Sequence, residues 1–263
     1  MFSSRPLRFS APSVLKVLAL SSGGTAQVKS LKLHDWDVTP AEAREIQSRL
    51  RHLVELDDRL PPLRIVAGAD VALELAEPGG WRKGRGRAFA GVVVYRFPQM
   101  EEIERVTAHL PLRFPYVPGL LSFREIPALL AAFERLRHAP DLIFCDGHGY
   151  AHPRRIGIAS HLGLLLDRPT IGVAKSVLVG EYREPRAKVG STTPLVDSKS
   201  GEVIGAAVRT RQGARPVFVS QGHRISLQRA IELTLAVSDG YRVPRPTRDA
   251  DRWVATTRRH AYR

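Results

Sequence analysis

Two aspartates interrupt stretches that otherwise read as apolar strands. Asp70 breaks Ile65-Val66-Ala67-Gly68-Ala69-Asp70-Val71-Ala72, and Asp146 closes Asp141-Leu142-Ile143-Phe144-Cys145-Asp146. A carboxylate in such a place loses its solvation unless a cation or hydrogen bonds compensate it. Catalytic groups of open α/β sheets gather at the carboxyl ends of strands. Taken singly, each acid is equally well explained as the cap of the turn that follows it, above all Asp146 before Gly147-His148-Gly149. Glu125, in Leu120-Leu121-Ser122-Phe123-Arg124-Glu125-Ile126-Pro127, is the third candidate. Ser122 and Glu125 have capping-box spacing, which would make the glutamate structural. Pro127 argues against that box, because its ring would crowd the carbonyl of Phe123 in the second turn. The helix is therefore expected to start later, near Ala128, with Glu125 on its lip. Two or three carboxylates around one cleft suit a hard divalent cation such as Mg²⁺, which keeps waters and takes substrate phosphate oxygens. Such a cation activates water, aligns it with a phosphodiester and neutralises the leaving alkoxide. The constellation is nuclease-like without being diagnostic.

The elements that must carry these acids can be read from periodicity. Thr39-Pro40-Ala41-Glu42 offers an N-cap, a proline at the first helical position and a glutamate three residues on, and Ile46, Leu50, Leu53 and Val54 then line one face. Residues 64–73, 88–97 and 103–110 read as three strands in an antiparallel meander. After it the pattern alternates: a helix over 128–136, a strand over 142–145, a helix over 156–166 and a strand over 170–174. This is βαβ alternation with a parallel pair, whose two faces should both be covered. A hairpin of 203–208 and 217–220, a helix over 226–237 and an arginine-rich tail complete the chain. The expected fold class is α/β, a mixed sheet flanked by helices. Residues 1–30, rich in Ser, Gly and Pro, read as a disordered extension, and a single domain spans 31–263.

The 263 residues carry 40 Lys and Arg against 26 Asp and Glu, a net charge of +14. That charge points to a polyanionic partner. One cysteine, Cys145, excludes a disulfide framework and a Cys-rich zinc site, which fits the cytoplasm. No stretch is apolar enough to span a membrane. The His148 and His152 pair, four residues apart, falls in a Gly-rich loop outside any zinc motif. His152 is expected behind Asp146, His148 and His161 as packing or phosphate contacts, and His223 is left open.

Three segments carry a resemblance. They are residues 114–125 (Phe114-Pro115-Tyr116-Val117-Pro118-Gly119 through Glu125), residues 146–161 (Asp146-Gly147-His148-Gly149 through His161), and Gly172-Val173-Ala174-Lys175-Ser176. In this order they closely resemble endonuclease V, repair nucleases that recognise deoxyinosine and, in some members, inosine in RNA. The resemblance runs from about Leu33 to about Arg259 and implies a ribonuclease H-like fold. It implies that Asp70 and Asp146 ligate Mg²⁺, for which Mn²⁺ can substitute, that Glu125 completes the acidic site, and that Lys175 holds the attacking water or the scissile phosphate. The family's closing Pro-Thr-Arg motif places His or Asp at its last active-site position. Here Pro246-Thr247-Arg248-Asp249-Ala250-Asp251 supplies Asp251, either to a second metal or to a water.

The same resemblance makes Pro115-Tyr116-Val117-Pro118 a wedge whose aromatic ring fills the space left by a flipped base. It lines the base pocket with Gly119, Leu121, Gly147, Gly149 and Leu178. Arg154 and Arg155, with the arginines of the 79–87 loop, are expected to position phosphates or to stand behind the site. The implied activity is Mg²⁺-dependent cleavage of the second phosphodiester 3′ to hypoxanthine, leaving 3′-hydroxyl and 5′-phosphate ends, by a monomer acting on deoxyinosine-containing DNA. The alternatives are an inosine-specific endoribonuclease, a nucleic-acid binder without catalysis, and a junction resolvase of the same fold.

Overall fold

The structure, a computed structural model, describes residues 28–75 and 86–260. Nearly all of the extension over 1–30 and of the arginine-bearing 79–87 loop lies outside the described residues. Val28 is already buried in the core, and the Leu31 N–H donates to the Leu165 carbonyl at 2.6 Å.

Helix α1 (Pro40–Leu50) begins with the expected capping box: the Thr39 side chain accepts from Glu42 N–H, and the Glu42 carboxylate accepts from Thr39 N–H. The meander follows as β1 (Ile65–Leu75), β2 (Gly86–Arg96) and β3 (Glu101–Pro111), each pair antiparallel. Next come α2 (Ser122–Phe133), β4 (Leu142–Asp146), α3 (Ile158–Leu166) and β5 (Thr170–Ala174), with β4 parallel to both β1 and β5. Strands β6 (Glu181–Tyr182), β7 (Thr192–Val196), β8 (Val203–Val208) and β9 (Val217–His223) add an antiparallel half, and helices α4 (Leu227–Ala236) and α5 (Arg245–His260) close the chain. Among the described residues the strands form one sheet in the order β3-β2-β1-β4-β5-β9-β8-β7-β6.

The mixed sheet is covered on both faces. Ala67, Ala69, Ile143 and Cys145 pack with residues of α2 and α3, whereas Val66, Leu142 and Phe144 pack with residues of α4 and α5. Alternation along the strands makes this division. Each fully buried large side chain, such as Phe133 or Phe144, contributes about 1.5–3 kcal/mol relative to exposure.

Two expectations give way. Helix α2 starts at Ser122, not near Ala128, and contains Pro127. Its first turn is built from short i to i+3 bonds, Phe123 N–H to Leu120 O and Arg124 N–H to Leu121 O. The N-cap is Leu121 and no side chain caps it, so the Ser122–Glu125 box does not form. The arginine-rich tail is also no tail, because residues 245–260 form α5. That helix lies against β1 and β2, where Gly68 leaves room for it: a Cβ at Gly68 would stand 1.9 Å from the Pro246 carbonyl oxygen. The Tyr95 hydroxyl donates to Asp249 at 2.9 Å and ties α5 to β2.

Candidate active site

The parallel register of β1 and β4 pairs Ala69 with Cys145, which sets Asp70 and Asp146 side by side on the next position. Glu125 reaches the same place from the first turn of α2, and Lys175 follows the last residue of β5. Lys175 Nζ stands 2.6 Å from Asp146 Oδ2 and 3.6 Å from Asp251 Oδ2, so α5 contributes the fourth acid. The Lys175 main chain is itself clamped, since Arg242 Nη2 donates to its carbonyl at 2.6 Å and to Pro216 O at 3.0 Å.

This cluster has more negative charge than its surroundings balance. Burial, then the charges of Asp146 and Asp251, push the Asp70 carboxyl up to about 7. Burial, then Asp70 and Asp146, hold Glu125 well above the ordinary carboxylate range. Asp146 is raised by burial even though its bond to Lys175 pulls the other way. Burial disfavours the Lys175 charge, but the Asp146 hydrogen bond and the nearby acids outweigh it and leave its pKa raised. Among the described residues no three His, Cys, Asp or Glu side chains stand close enough together to enclose a metal ion. The donor set nevertheless fits a hard divalent cation in kind. Its donors are all carboxylate oxygens with excess negative charge, and Mg²⁺ takes one or two protein carboxylates and completes its shell with water and phosphate.

Beside the acids lies a cavity of about 240 Å³. It is smaller than the usual pocket for a drug-sized ligand, and so of a size for a single flat heterocycle. Tyr116, Val117, Pro118 and Gly119 form one wall. Leu121, Gly147 and Leu178 line it as well. Gly149 does not: a Cβ there would stand 2.0 Å from the Gln221 carbonyl oxygen, so this glycine serves close packing against β9. Three segments feed both centres. Strand β4 delivers Asp146 and then Gly147 and His148; β5 leads to Lys175 and then Ser176 to Leu178; α2 begins with Ser122 in the cavity wall and carries Glu125 one turn on.

The wall bearing Tyr116 is a loop held at both ends. Phe114 and Leu120 are buried and pack with Ala43 of α1 and with Phe123, whereas Tyr116 is 46 % exposed at the cavity's mouth. Pro118-Gly119 makes the turn, with Gly119 at φ +77° and a Leu120 N–H to Val117 O bond of 2.9 Å. Gln47 Nε2, His152 Nε2 and Arg154 Nη2 converge on the Gly119 carbonyl at 3.1, 3.0 and 2.7 Å. Arg154 Nε also donates to Gln47 Oε1 at 2.5 Å.

These contacts revise several assignments. His152 serves the 115–119 loop rather than Asp146: one ring nitrogen meets Gly119 O and the other accepts from Arg154 N–H, while burial lowers its pKa to about 3. Arg154 is engaged by the same loop. Arg155 is taken up by Asp197 and Glu202 at 2.6 and 2.8 Å with its side chain only 12 % exposed, so it braces the β7–β8 turn and is not offered to a phosphate. His161 is fully buried against His34 at 2.8 Å, which makes it packing, and His223 Nδ1 accepts from Glu55 N–H. Gln47 was not anticipated. Its signal is a polar residue between Ala43 and Leu50 on the buried face of α1. No signal short of the fold points to Arg242.

A family model described as Endonuclease V matches residues 48–252. The endonuclease V of Nostoc punctiforme is 48% identical over 226 residues, covering 86% of this chain and 98% of that protein. Among solved structures, endonuclease V from Streptomyces avermitilis superposes with a TM-score of 0.79 at 42% identity, covering 90% of this chain and all of that one. Ciona intestinalis endonuclease V, solved in complex with a 24mer DNA containing an inosine followed by a ribo-adenosine, gives 0.71 at 29% identity over 84% of this chain and 98% of that one.

Proposed function

The chain belongs to the endonuclease V family, a nuclease acting on DNA, and from that premise we propose that it cleaves the second phosphodiester 3′ to a deoxyinosine in a Mg²⁺-dependent reaction. The observation that carries this reading is the shared construction of the acidic cluster and the small cavity: each of three segments gives one residue to the cluster and its neighbours to the cavity wall. A base seated in the cavity then fixes which phosphodiester lies over the acids. The inosine substrate is supported by the DNA bound to the Ciona relative.

Asp70 and Asp146 would hold the cation, with Glu125 ligating directly or through water. When bound, Mg²⁺ supplies positive charge against the phosphate and favours ionisation of water. The chain's own residues do the rest. Lys175, positioned by Asp146 and by the Arg242 clamp on its backbone, offers ammonium donors to the attacking water or to a phosphate oxygen. Asp251 faces the same ammonium and orients it. Tyr116, at the cavity mouth on a proline-stiffened loop, takes the place in the stack that the extruded base leaves, which offsets a few kcal/mol of unstacking. In-line attack by water releases a 3′-hydroxyl and leaves the 5′-phosphate. A cytoplasmic, monomeric enzyme belongs to the same reading; among the described residues no helix is long and apolar enough to cross a membrane.

The test is direct. Protein and Mg²⁺ are incubated with matched duplexes that differ by one deoxyinosine, and with the same inosine in RNA. The expected result is cutting of the inosine strand alone, abolished by chelation, with Asp146→Asn slowing it by roughly a thousandfold while binding in Ca²⁺ persists. Equal cutting of both duplexes would remove the lesion from the assignment, and preference for the RNA would make the protein an endoribonuclease.

A further inference from the structure

The loop that joins α4 to α5 carries an aromatic ring that the core does not absorb. Tyr241 is 49 % exposed, yet its loop is fixed throughout. Tyr241 N–H donates to Ser238 O at 2.9 Å, Thr210 Oγ1 donates to Arg242 O at 2.6 Å, and Arg245 N–H donates to Val237 O at 2.9 Å. The Arg248 guanidinium lies over the Tyr241 ring, 4.0 Å from its centre, and donates to Val243 O at 3.2 Å. The ring is thus held in place with a cation behind one face. Next to it, Arg242 donates to the carbonyls of Lys175, Arg215 and Pro216. That one side chain sets the Tyr241 loop and the exposed Arg215 against the backbone of the lysine that faces Asp146 and Asp251.

The sheet separates this ring from the cavity. Ser122 at the start of α2 and Gly157 and Ile158 at the start of α3 wall the cavity on one face, whereas α4 and α5, and the loop between them, belong to the other. The acids stand between the two, at the strand ends, with Asp251 joining them from α5. A strand that seats a base in the cavity and lays its next phosphates over the acids runs on toward Tyr241. We propose that Tyr241 and Arg215 form a second contact for that strand, on the 3′ side of the bond that is cut, the ring stacking on an unpaired base and the guanidinium meeting a phosphate. This rests on the reading of the cavity as the base pocket, which sets the direction of the strand across the acids. An aromatic ring beside a cation takes single-stranded nucleic acid of any sequence, because every base has a π-face and every nucleotide a phosphate. The contact adds no base specificity. It holds the strand on the far side of the acids, so that the scissile phosphate is fixed from both directions.

The experiment measures binding of the intact protein, in Ca²⁺, to single-stranded oligonucleotides carrying one deoxyinosine, in one series with the 3′ flank shortened stepwise to the nucleotide at the cut and in another with the 5′ flank shortened. Tyr241→Ala is expected to weaken binding to the full-length strand by roughly tenfold. It should bind the shortest member of the 3′ series as wild type does, and keep its full deficit along the 5′ series. Tyr241→Phe, which retains the ring, should bind every strand as wild type does. Arg215→Gln should show a smaller loss at the same step of the 3′ series, with a salt dependence shallower by about one phosphate. A Tyr241→Ala deficit that is absent, that is equal along the whole 3′ series, or that disappears along the 5′ series would overturn the proposal. The Arg215 arm decides by itself if Tyr241→Ala melts early. A wild-type protein that binds the deoxyinosine strand no better than the same strand with adenine would instead overturn the base-pocket reading beneath it.

Discussion

Asp70 gives the clearest case of a side chain whose burial works against the stability of the fold. Its carboxyl is pushed up to about 7 by burial and by Asp146 and Asp251. An unfolded chain ionises the same group near pH 4. Between those values the folded state binds the extra proton, so stability attributable to Asp70 falls as pH rises and is lowest above pH 7. In the presence of chelator, Asp70→Asn should therefore melt higher than wild type at pH 8, by on the order of a few kcal/mol in stability, with the gap closing toward pH 4. Its cleavage activity should be lost at every pH. Thermal melts of the two proteins across this range check the sign, and a variant less stable than wild type at pH 8 would show that the carboxylate is structurally satisfied. The acid was visible in the sequence because nothing apolar needs an aspartate at that position. Its partners were less so: Lys175 and Asp251 are separated by 76 positions of chain, and only the packing of α5 brings them to 3.6 Å from each other.

Packing of α5 is the step at which elements decide the site. The helix can lie on β1 and β2 because Gly68 and Gly91 present no side chain to it. A Cβ at Gly68 meets Pro246 backbone at 1.9 Å, whereas one at Gly91 meets the Val254 side chain at 3.2 Å. Gly68→Ala should thus destabilise by about 1–3 kcal/mol and reduce cleavage as Asp251 moves from Lys175, and Gly91→Ala should do less of both. Urea melts and single-turnover rates rank the pair; equal effects would mean that α5 seats without needing the close approach. The helix was hidden in the sequence by its charge, since seven arginines in 241–263 read as a solvated tail while Ala250, Trp253 and Val254 already marked an apolar stripe. Local signals succeeded where they were self-contained, as in the Thr39–Glu42 box of α1 and the continuous apolar run of β2. They failed at α2, where Pro127 argued for a late start. A proline without an N–H is tolerated there because the buried surface of Phe123, Ile126 and Leu129 outweighs one missing backbone bond. Strands β6 and β7 were missed for a related reason: β6 is two exposed residues long, and β7 carries a proline, so neither shows a period of its own.

Across the whole molecule, the net charge of +14 and the pocket do separable work. Two arginines that the sequence offered to phosphates turn out to be internal struts, Arg155 on Asp197 and Glu202 and Arg154 on Gly119, and Arg242 braces Lys175 in the same way. What remains outside is a general attraction for a polyanion, which acts on any duplex alike because phosphates do not report the base. In the proposed function the cavity reads one base, through contacts that salt would screen far less than those to exposed phosphates. Raising monovalent salt from about 50 to about 200 mM should weaken binding to undamaged and deoxyinosine duplexes by the same large factor, on the order of a hundredfold or more if several phosphates are neutralised. The ratio of the two affinities should stay constant. Parallel lines in a plot of log Kd against log salt would assign affinity to the charged exterior and specificity to the pocket. Converging lines would mean that part of the lesion preference comes from phosphate geometry around the distorted site, and would share the discrimination between the cavity and the basic surface.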